Sequence, residues 1–361
     1  MRIAPEDLRI YRCYPWLPPE PGGMERHIAA LTIEQRRQGC DVVPVYNAGV
    51  AKQPAVRVLS GINLRSIKPA ALRDFAFYSA AISSIGPTHD NKIAVVHVHG
   101  DYSAFLAARM LAWRLKASMT IATLHESAIA APMHYRVSMM GYGLVLATGW
   151  KEAQHLEKIL GRQVHHLPSA PLDTFFDPSE AGAPCDVITV GSLVPRKRTE
   201  LVLACAARLP HLRFSIYGEG IERRRLEALS IAMNCQNVAF HGGVSSEKIA
   251  AALRGARVFL SVSATEGTPT AALEAMAAGL PVVLTPSNDY SWLIRNDVNG
   301  YVTSGWEIED VTCRLVACLA DEDRRRMMGK ANRAIAETHR WNSKARFLTE
   351  RVLDCLEVAK P

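Results

Sequence analysis

The chain has 361 residues, 48% hydrophobic and 21% charged, which excludes a disordered or fibrous polypeptide and suggests two domains. Lys and Arg number 42 against 35 Asp and Glu, a formal charge of +7 that favours anionic partners. The basic residues are scattered and only 7% of the chain is aromatic, so nucleic acid is not expected among those partners.

The longest near-apolar run, Met139–Trp150, holds three glycines and is too short to span a bilayer. No charged-then-apolar leader pattern opens the chain, and the eight cysteines lie far apart with no Cys-x-x-Cys. These features predict reduced, mostly buried thiols in a soluble, cytoplasmic protein.

In chain order, Leu8–Tyr14 reads as a first strand. Met24–Gln38 reads as a helix, with Ile28, Leu31 and Gln35 at helical spacing and Gly39 as its stop. Asp41–Tyr46 is a strand whose Pro44 points to a sheet edge. Further strands are expected at Ile93–Val98, Met119–Leu124, Leu144–Ala147 and Val164–Leu167, with helices between them. A proline-rich stretch over 168–184 reads as an interdomain linker.

A second series follows, with strands at Val187–Val190, Arg213–Tyr217, Val238–Phe240, Val258–Val262 and Val282–Leu284. Its helices are expected at Thr199–Arg208, Ile221–Met233, Ser245–Arg254 and Pro269–Ala278. Strands alternating with helices of this length imply parallel sheets built from right-handed crossovers. The predicted class is α/β, two Rossmann-like lobes whose parallel sheets face a central cleft.

Ligands of open parallel sheets gather at the C-terminal strand ends, where helix N-termini present unpaired N–H groups. The most informative such loop runs from Ser263 through Glu266, Gly267, Thr268, Pro269 and Thr270 to Glu274 and Gly279. Thr268 is the expected N-cap, Pro269 suits the first helical position and Gly279 ends the helix. Glu266 then stands at the sheet edge and Glu274 in the helix's second turn. Two carboxylates so placed can accept hydrogen bonds from sugar hydroxyls, and the loop N–H groups can donate to phosphate or hydroxyl oxygens.

Other loops repeat the theme. Gly22 and Gly23 follow strand one, so backbone can approach a ligand closely. His97 and His99 share one face of a strand; with no third ligand at fitting spacing, packing and loop orientation is the preferred reading over a metal. Tyr217-Gly-Glu-Gly lacks the third glycine of a dinucleotide fingerprint. Asp321-Glu-Asp323 opens a polar helix, where acids cap and complement the dipole, so no metal is assigned to it.

The segment from Glu266 to Glu274 resembles the E-x7-E signature of retaining, nucleotide-sugar-dependent glycosyltransferases of family 4, the glycosyl transferases group 1, which have the GT-B fold. Pro21–Leu31, Val96–Gly100, Thr123–Glu126, Val190–Lys197, Tyr217–Gly220, Arg295–Val302 and Trp341 resemble the family's other landmarks, in order and spacing. The resemblance implies an acceptor-binding lobe over residues 1–170, completed by a helix at about 342–361, and a donor-binding lobe over 185–340. It implies donor contacts from Gly22, Gly23, Gly191, Arg196, Lys197, Gly218, Glu266, Gly267, Thr268, Pro269, Thr270 and Glu274. It further implies acceptor contacts from Gly23, His99 and His125, and catalytic roles for His125, Glu266 and Lys197. Glu274 would hold ribose hydroxyls, Glu266 the sugar ring and Lys197 the diphosphate.

The implied reaction moves a hexose from GDP-mannose or a UDP-hexose to a glycan or lipid-linked acceptor, with retention, no cofactor and no required metal. Other readings are a different GT-B enzyme, such as a sugar-nucleotide epimerase, or a sugar-nucleotide-binding regulator. The chain departs from the family at Ser192, where an Arg is usual; Arg196 and Arg198 are the candidates to replace it. Finally, Phe105–Lys116 mixes apolar and basic residues. It is read as a helix packing its apolar stripe inward, with weak peripheral binding to anionic lipid as the alternative.

Overall fold

The computed structural model of the chain describes residues 2–15, 23–46, 67–85, 90–125 and 132–358. The chain divides into two compact units: Met1–Ser169 with Trp341–Pro361, and Ala170–Arg340.

The first unit is built from strands β1 (Leu8–Cys13), β2 (Asp41–Val45), β3 (Ile93–Gly100), β4 (Met119–Leu124), β5 (Leu144–Ala147) and β6 (His165–His166). They form one parallel sheet in the order β2-β1-β3-β4-β5-β6. Pro44 lies in β2 at the sheet edge, where its missing N–H leaves no ladder bond unmade. Helices α1 (Gly23–Arg37), α2 (Ala70–Ser84), α3 (Tyr102–Arg114), α4 (Pro132–Ser138) and α5 (Trp150–Leu160) connect the strands. Asp101 caps α3 by accepting from the Ser103 N–H at 3.0 Å, which satisfies one of the orphan donors of the first turn.

The last helix, α12 (Trp341–Val358), packs on α1. Gln35 donates to Thr349 Oγ1 at 3.0 Å, and the His27 ring meets Trp341 edge-on at 4.9 Å between centroids. Gln35, a polar residue on the inward stripe of α1, also accepts from Arg12. Arg12 is fully buried in β1, with Thr32 Oγ1 accepting its second bond at 2.9 Å. Desolvation pushes that guanidinium down to about 9.

The second unit has strands β7 (Cys185–Val190), β8 (Phe214–Tyr217), β9 (Val238–Gly242), β10 (Ala256–Ser261), β11 (Val282–Leu284) and β12 (Gly300–Val302). Their order is β12-β11-β10-β7-β8-β9, all parallel. Helices α6 (Glu200–Arg208), α7 (Arg223–Ala232), α8 (Ser246–Gly255), α9 (Thr270–Ala277), α10 (Ile308–Ala320) and α11 (Glu322–Thr338) flank it. Alternate residues of one strand feed two cores: Val258 and Leu260 join one apolar cluster and Phe259 the other. This is the period-two signature of a sheet covered on both faces. Asn332 of α11 seals the far end, donating to the Leu280 and Asn299 carbonyls at 2.6 and 2.7 Å.

The proline-rich stretch is not a free tether. Phe175 and Phe176 are buried in the second unit's core, and burying a Phe contributes roughly 1.5–3 kcal/mol. Asp321 caps α11 by accepting from Arg324 N–H at 3.0 Å. Among the described residues, no helix is long and apolar enough to cross a membrane.

Candidate active site

In the second sheet the strand order reverses between β7 and β10, so the crevice rule for open α/β sheets points to the loops after these two strands. The loop after β7 contains Gly191 and the short 3-10 turn Pro195–Lys197, and the loop after β10 contains Glu266. Lys197 Nζ donates to Glu266 Oε1, Ser263 Oγ donates to the same oxygen at 2.7 Å, and Arg196 Nη1 lies 3.5 Å from Oε2. A Cβ added at Gly191 would stand 3.5 Å from Lys197 Cε, so this glycine borders the cation directly. The two loops are also tied through backbone, Ala264 N–H donating to Arg196 O at 2.8 Å.

Arg198 faces elsewhere. It adopts φ +49°, and its guanidinium sits over the Trp306 ring at 5.6 Å. Trp306 in turn donates from Nε1 to the Ser263 carbonyl at 3.2 Å.

The helix start differs from the sequence reading by one residue. Pro269 occupies the N-cap position and Thr270 is the first helical residue, so Thr268 lies in the loop rather than at the cap. The loop is held by Asn288, whose Nδ2 donates to the carbonyls of Glu266 and Gly267 at 2.6 and 2.8 Å. Glu274 lies further along α9 and is only 4% exposed.

Gly218 has a steric duty of its own. It sits at φ +138°, and a Cβ there would fall 1.9 Å from the Gly191 carbonyl oxygen. Gly191 N–H donates to Tyr217 O at 2.9 Å. The glycine thus lets the loop after β8 close against the loop that carries Lys197.

In the first unit the order reverses between β1 and β3. Gly23 is the first residue of α1; Gly22 lies outside the described residues. His99 near the end of β3 and His125 just after β4 come together, Nδ1 to Nε2 at 2.8 Å. His27 of α1 stands edge-on to His125, centroids 5.0 Å apart. His97 bonds Thr123 Oγ1 at 2.8 Å. Desolvation lowers all four rings, His125 to about 3.

Asn288 and Trp306 were not legible beside the site, the bond from Ser263 to Glu266 was not foreseen, and His27 was passed over. Nothing in the spacing marks Asn288, which acts through a loop carbonyl pair 21 and 22 residues away. His27 could have been found, because it lies on the α1 face that also carries Leu31 and Gln35 inward.

Two family models match the chain. Residues 173–335 match Glycosyl transferases group 1, and residues 21–170 match Glycosyltransferase Family 4. The chain belongs to the group 1 glycosyltransferases, with the GT-B fold.

Among relatives, it is similar to sulfoquinovosyl transferase SQD2 of Arabidopsis thaliana, 29% identical over 160 residues, 44% of this chain and 31% of that protein. It is also similar to one subunit of the phosphatidylinositol N-acetylglucosaminyltransferase of Arabidopsis thaliana, 27% identical over 308 residues, 78% of this chain and 68% of that protein. The matched stretch therefore spans about a third of the first relative and about two thirds of the second. The structure of sucrose-phosphate synthase from Thermosynechococcus elongatus covers 98% of this chain and 100% of its own at a TM-score of 0.78 and 18% identity, a likeness of fold.

Proposed function

We propose that the protein transfers a hexose from a nucleotide diphosphate sugar, GDP-mannose or a UDP-hexose, to a glycan or lipid-linked acceptor, with retention of configuration. The observation that carries this reading is the Lys197–Glu266 pair, flanked by Arg196, at the switch point of the second sheet. A lysine beside a loop glycine suits a diphosphate, and a carboxylate suits sugar hydroxyls. On binding, the diphosphate competes with Glu266 for Lys197 and frees the carboxylate for the sugar. Arg196, which faces Glu266, takes the place of the family arginine absent at Ser192; Arg198 is engaged over Trp306.

In the reaction, the bond from the anomeric carbon to the phosphate oxygen breaks and its electron pair stays on that oxygen. The acceptor hydroxyl attacks from the same face and gives its proton to the leaving phosphate. Lys197 and Arg196 neutralise the charge that develops there, the step in which preorganised cations contribute most. This assigns neutralisation to side chains, so chelating agents should leave turnover unchanged. Glu274 is assigned to the ribose, and His125 with Gly23 to the sugar and acceptor side.

A panel of nucleotide sugars in a thermal-shift assay tests the donor reading. A bound donor at about 100 times its Kd adds roughly 2.7 kcal/mol of stability, and Lys197→Ala should abolish that shift. Absence of a shift with every nucleotide sugar would remove the proposal. Release of nucleoside diphosphate only when acceptor is present separates a transferase from an epimerase or a regulator.

A lipid-linked acceptor has support from one surface. Helix α3 buries Phe105, Ala108 and Leu111 but exposes Leu106 and, at 83%, Trp113, among exposed Arg109, Arg114 and Lys116. Its neighbours α2 and α4 expose Leu72, Phe75, Met133 and Val137. Apolar side chains ringed by cations fit the interface of an anionic bilayer. Co-sedimentation with anionic but not neutral vesicles, weakened by salt and by Trp113→Ser, is expected; equal recovery with both vesicle types would rule it out.

A further inference from the structure

The histidines of the first unit form a connected set whose protons can be placed. His99 Nδ1 meets His125 Nε2, His97 Nε2 meets Thr123 Oγ1, and His27 Nδ1 meets Ser169 Oγ, at 2.8, 2.8 and 3.0 Å. The second ring nitrogen of His27, His97 and His99 is buried and finds no hydrogen-bond partner among the described residues. Desolvation keeps the rings neutral at pH 7, so each carries a single N–H.

A neutral ring with one bonded and one orphaned nitrogen has two ways to place that proton. On the orphaned nitrogen it leaves a buried donor unpaired; on the bonded nitrogen it leaves only a lone pair. Buried unpaired N–H groups are the rarer of the two in native structures. For His99 the proton therefore belongs on Nδ1, and the bond runs from His99 Nδ1–H to a bare His125 Nε2. His125 must then carry its own proton on Nδ1.

We infer that His99 is a positioning residue that holds His125 as its Nδ1–H tautomer, so that His125 offers a donor, not an acceptor, to a sugar hydroxyl oxygen. The inference rests on the reading of His125 as a sugar-facing residue. A histidine ring in water prefers its proton on Nε2, so the partner imposes the arrangement, as a second group commonly does for a working imidazole. His27, edge-on at 5.0 Å, makes no hydrogen bond to His125 and leaves the choice to His99.

Imidazole nitrogen chemical shifts of the intact protein by NMR test this directly, with His125 assigned from the resonance lost in His125→Ala. The expected pattern is protonated Nδ1 and bare Nε2 at pH 7; the reverse pattern overturns the inference without touching the site reading. His99→Leu should switch His125 to Nε2–H and lower kcat/KM by about 10- to 100-fold, whereas His99→Asn, which keeps an N–H near the Nδ1 position, should retain most of the activity. Equal losses in the two variants would reduce His99 to a packing residue and overturn the inference. Full activity in His99→Leu with the tautomer switched would overturn it together with the sugar-facing reading of His125. Should His99→Leu fail to fold, the wild-type spectrum decides.

Discussion

Along β3, just after β4 and on the facing helix α1, the first unit gathers four imidazoles that desolvation keeps neutral. At the ends of β7 and β10 the second unit sets Lys197, Arg196 and Glu266 in partly exposed loops. Both sets occupy the same place in a doubly wound sheet, yet one is built to avoid charge and the other to concentrate it. Uncharged donors and acceptors suit hydroxyl groups, whose recognition depends on direction. A diphosphate is recognised chiefly by compensation of its charge, which tolerates water and movement.

The contrast can be broken from either side. The largest effect is expected for Lys197→Ala, which removes a cation from the leaving phosphate and should lower kcat/KM by about 10²–10³-fold, or roughly 3–4 kcal/mol. Steady-state kinetics with saturating acceptor measures it, and normal turnover would displace the donor site from the second unit.

Acid is the matching test for the first unit. The folded pKa of each buried ring lies below the unfolded value of about 6.5, so the unfolded chain takes up protons first as pH falls. The rings' contribution to stability is therefore full above about pH 6.5 and declines below it, by about 1 kcal/mol per ring at about pH 5.5. Hydrogen-exchange mass spectrometry should show β3 and β4 losing protection before β7 and β10. Uniform loss across both sheets would contradict the assignment of acid sensitivity to the histidines.

A smaller effect separates the two arginines. Arg196→Ala should cost about tenfold in kcat/KM, close to the 1.4 kcal/mol of one charge-assisted contact. Arg198→Ala should stay within a few-fold of wild type, because that guanidinium is engaged over Trp306. Ser192→Arg in the Arg196→Ala background should restore much of the loss. If Arg198→Ala falls further than Arg196→Ala, their roles are reversed.

Much of the framework was readable from periodicity. Every strand from β1 to β11 was anticipated within a few residues, because both sheets are covered on two faces and their strands are continuous apolar runs. Strand β12 was missed: Gly300-Tyr-Val is only three residues long and pairs at an edge. Glu266 stood out beside Gly267 in a strand-end loop, and Lys197 through the resemblance of its own loop to the family's. Their pairing was not legible, since it joins residues 69 apart in sequence. Arg12 shows the other limit. A fully buried arginine in an apolar strand is paired by Thr32 and Gln35 of α1, and no local pattern announces such a partner.

The chain passes between the units twice, at Ser169–Ala170 and at Arg340–Trp341, which makes the second unit an insertion into the first. Its two ends are pinned together: Arg340 Nη1 lies 2.9 Å from Asp173 Oδ1, and its guanidinium covers the Phe176 ring at 3.8 Å. An insert with adjacent ends adds little loop-closure entropy to its host. During synthesis the inserted unit is complete before α12 leaves the ribosome, while α1 still lacks the helix that covers Gln35 and His27. The histidine-bearing unit thus matures after the inserted one, and if the donor site lies in the second unit as proposed, nascent chains stalled before Trp341 should bind nucleotide while the β3–β4 pair still lacks its full protection.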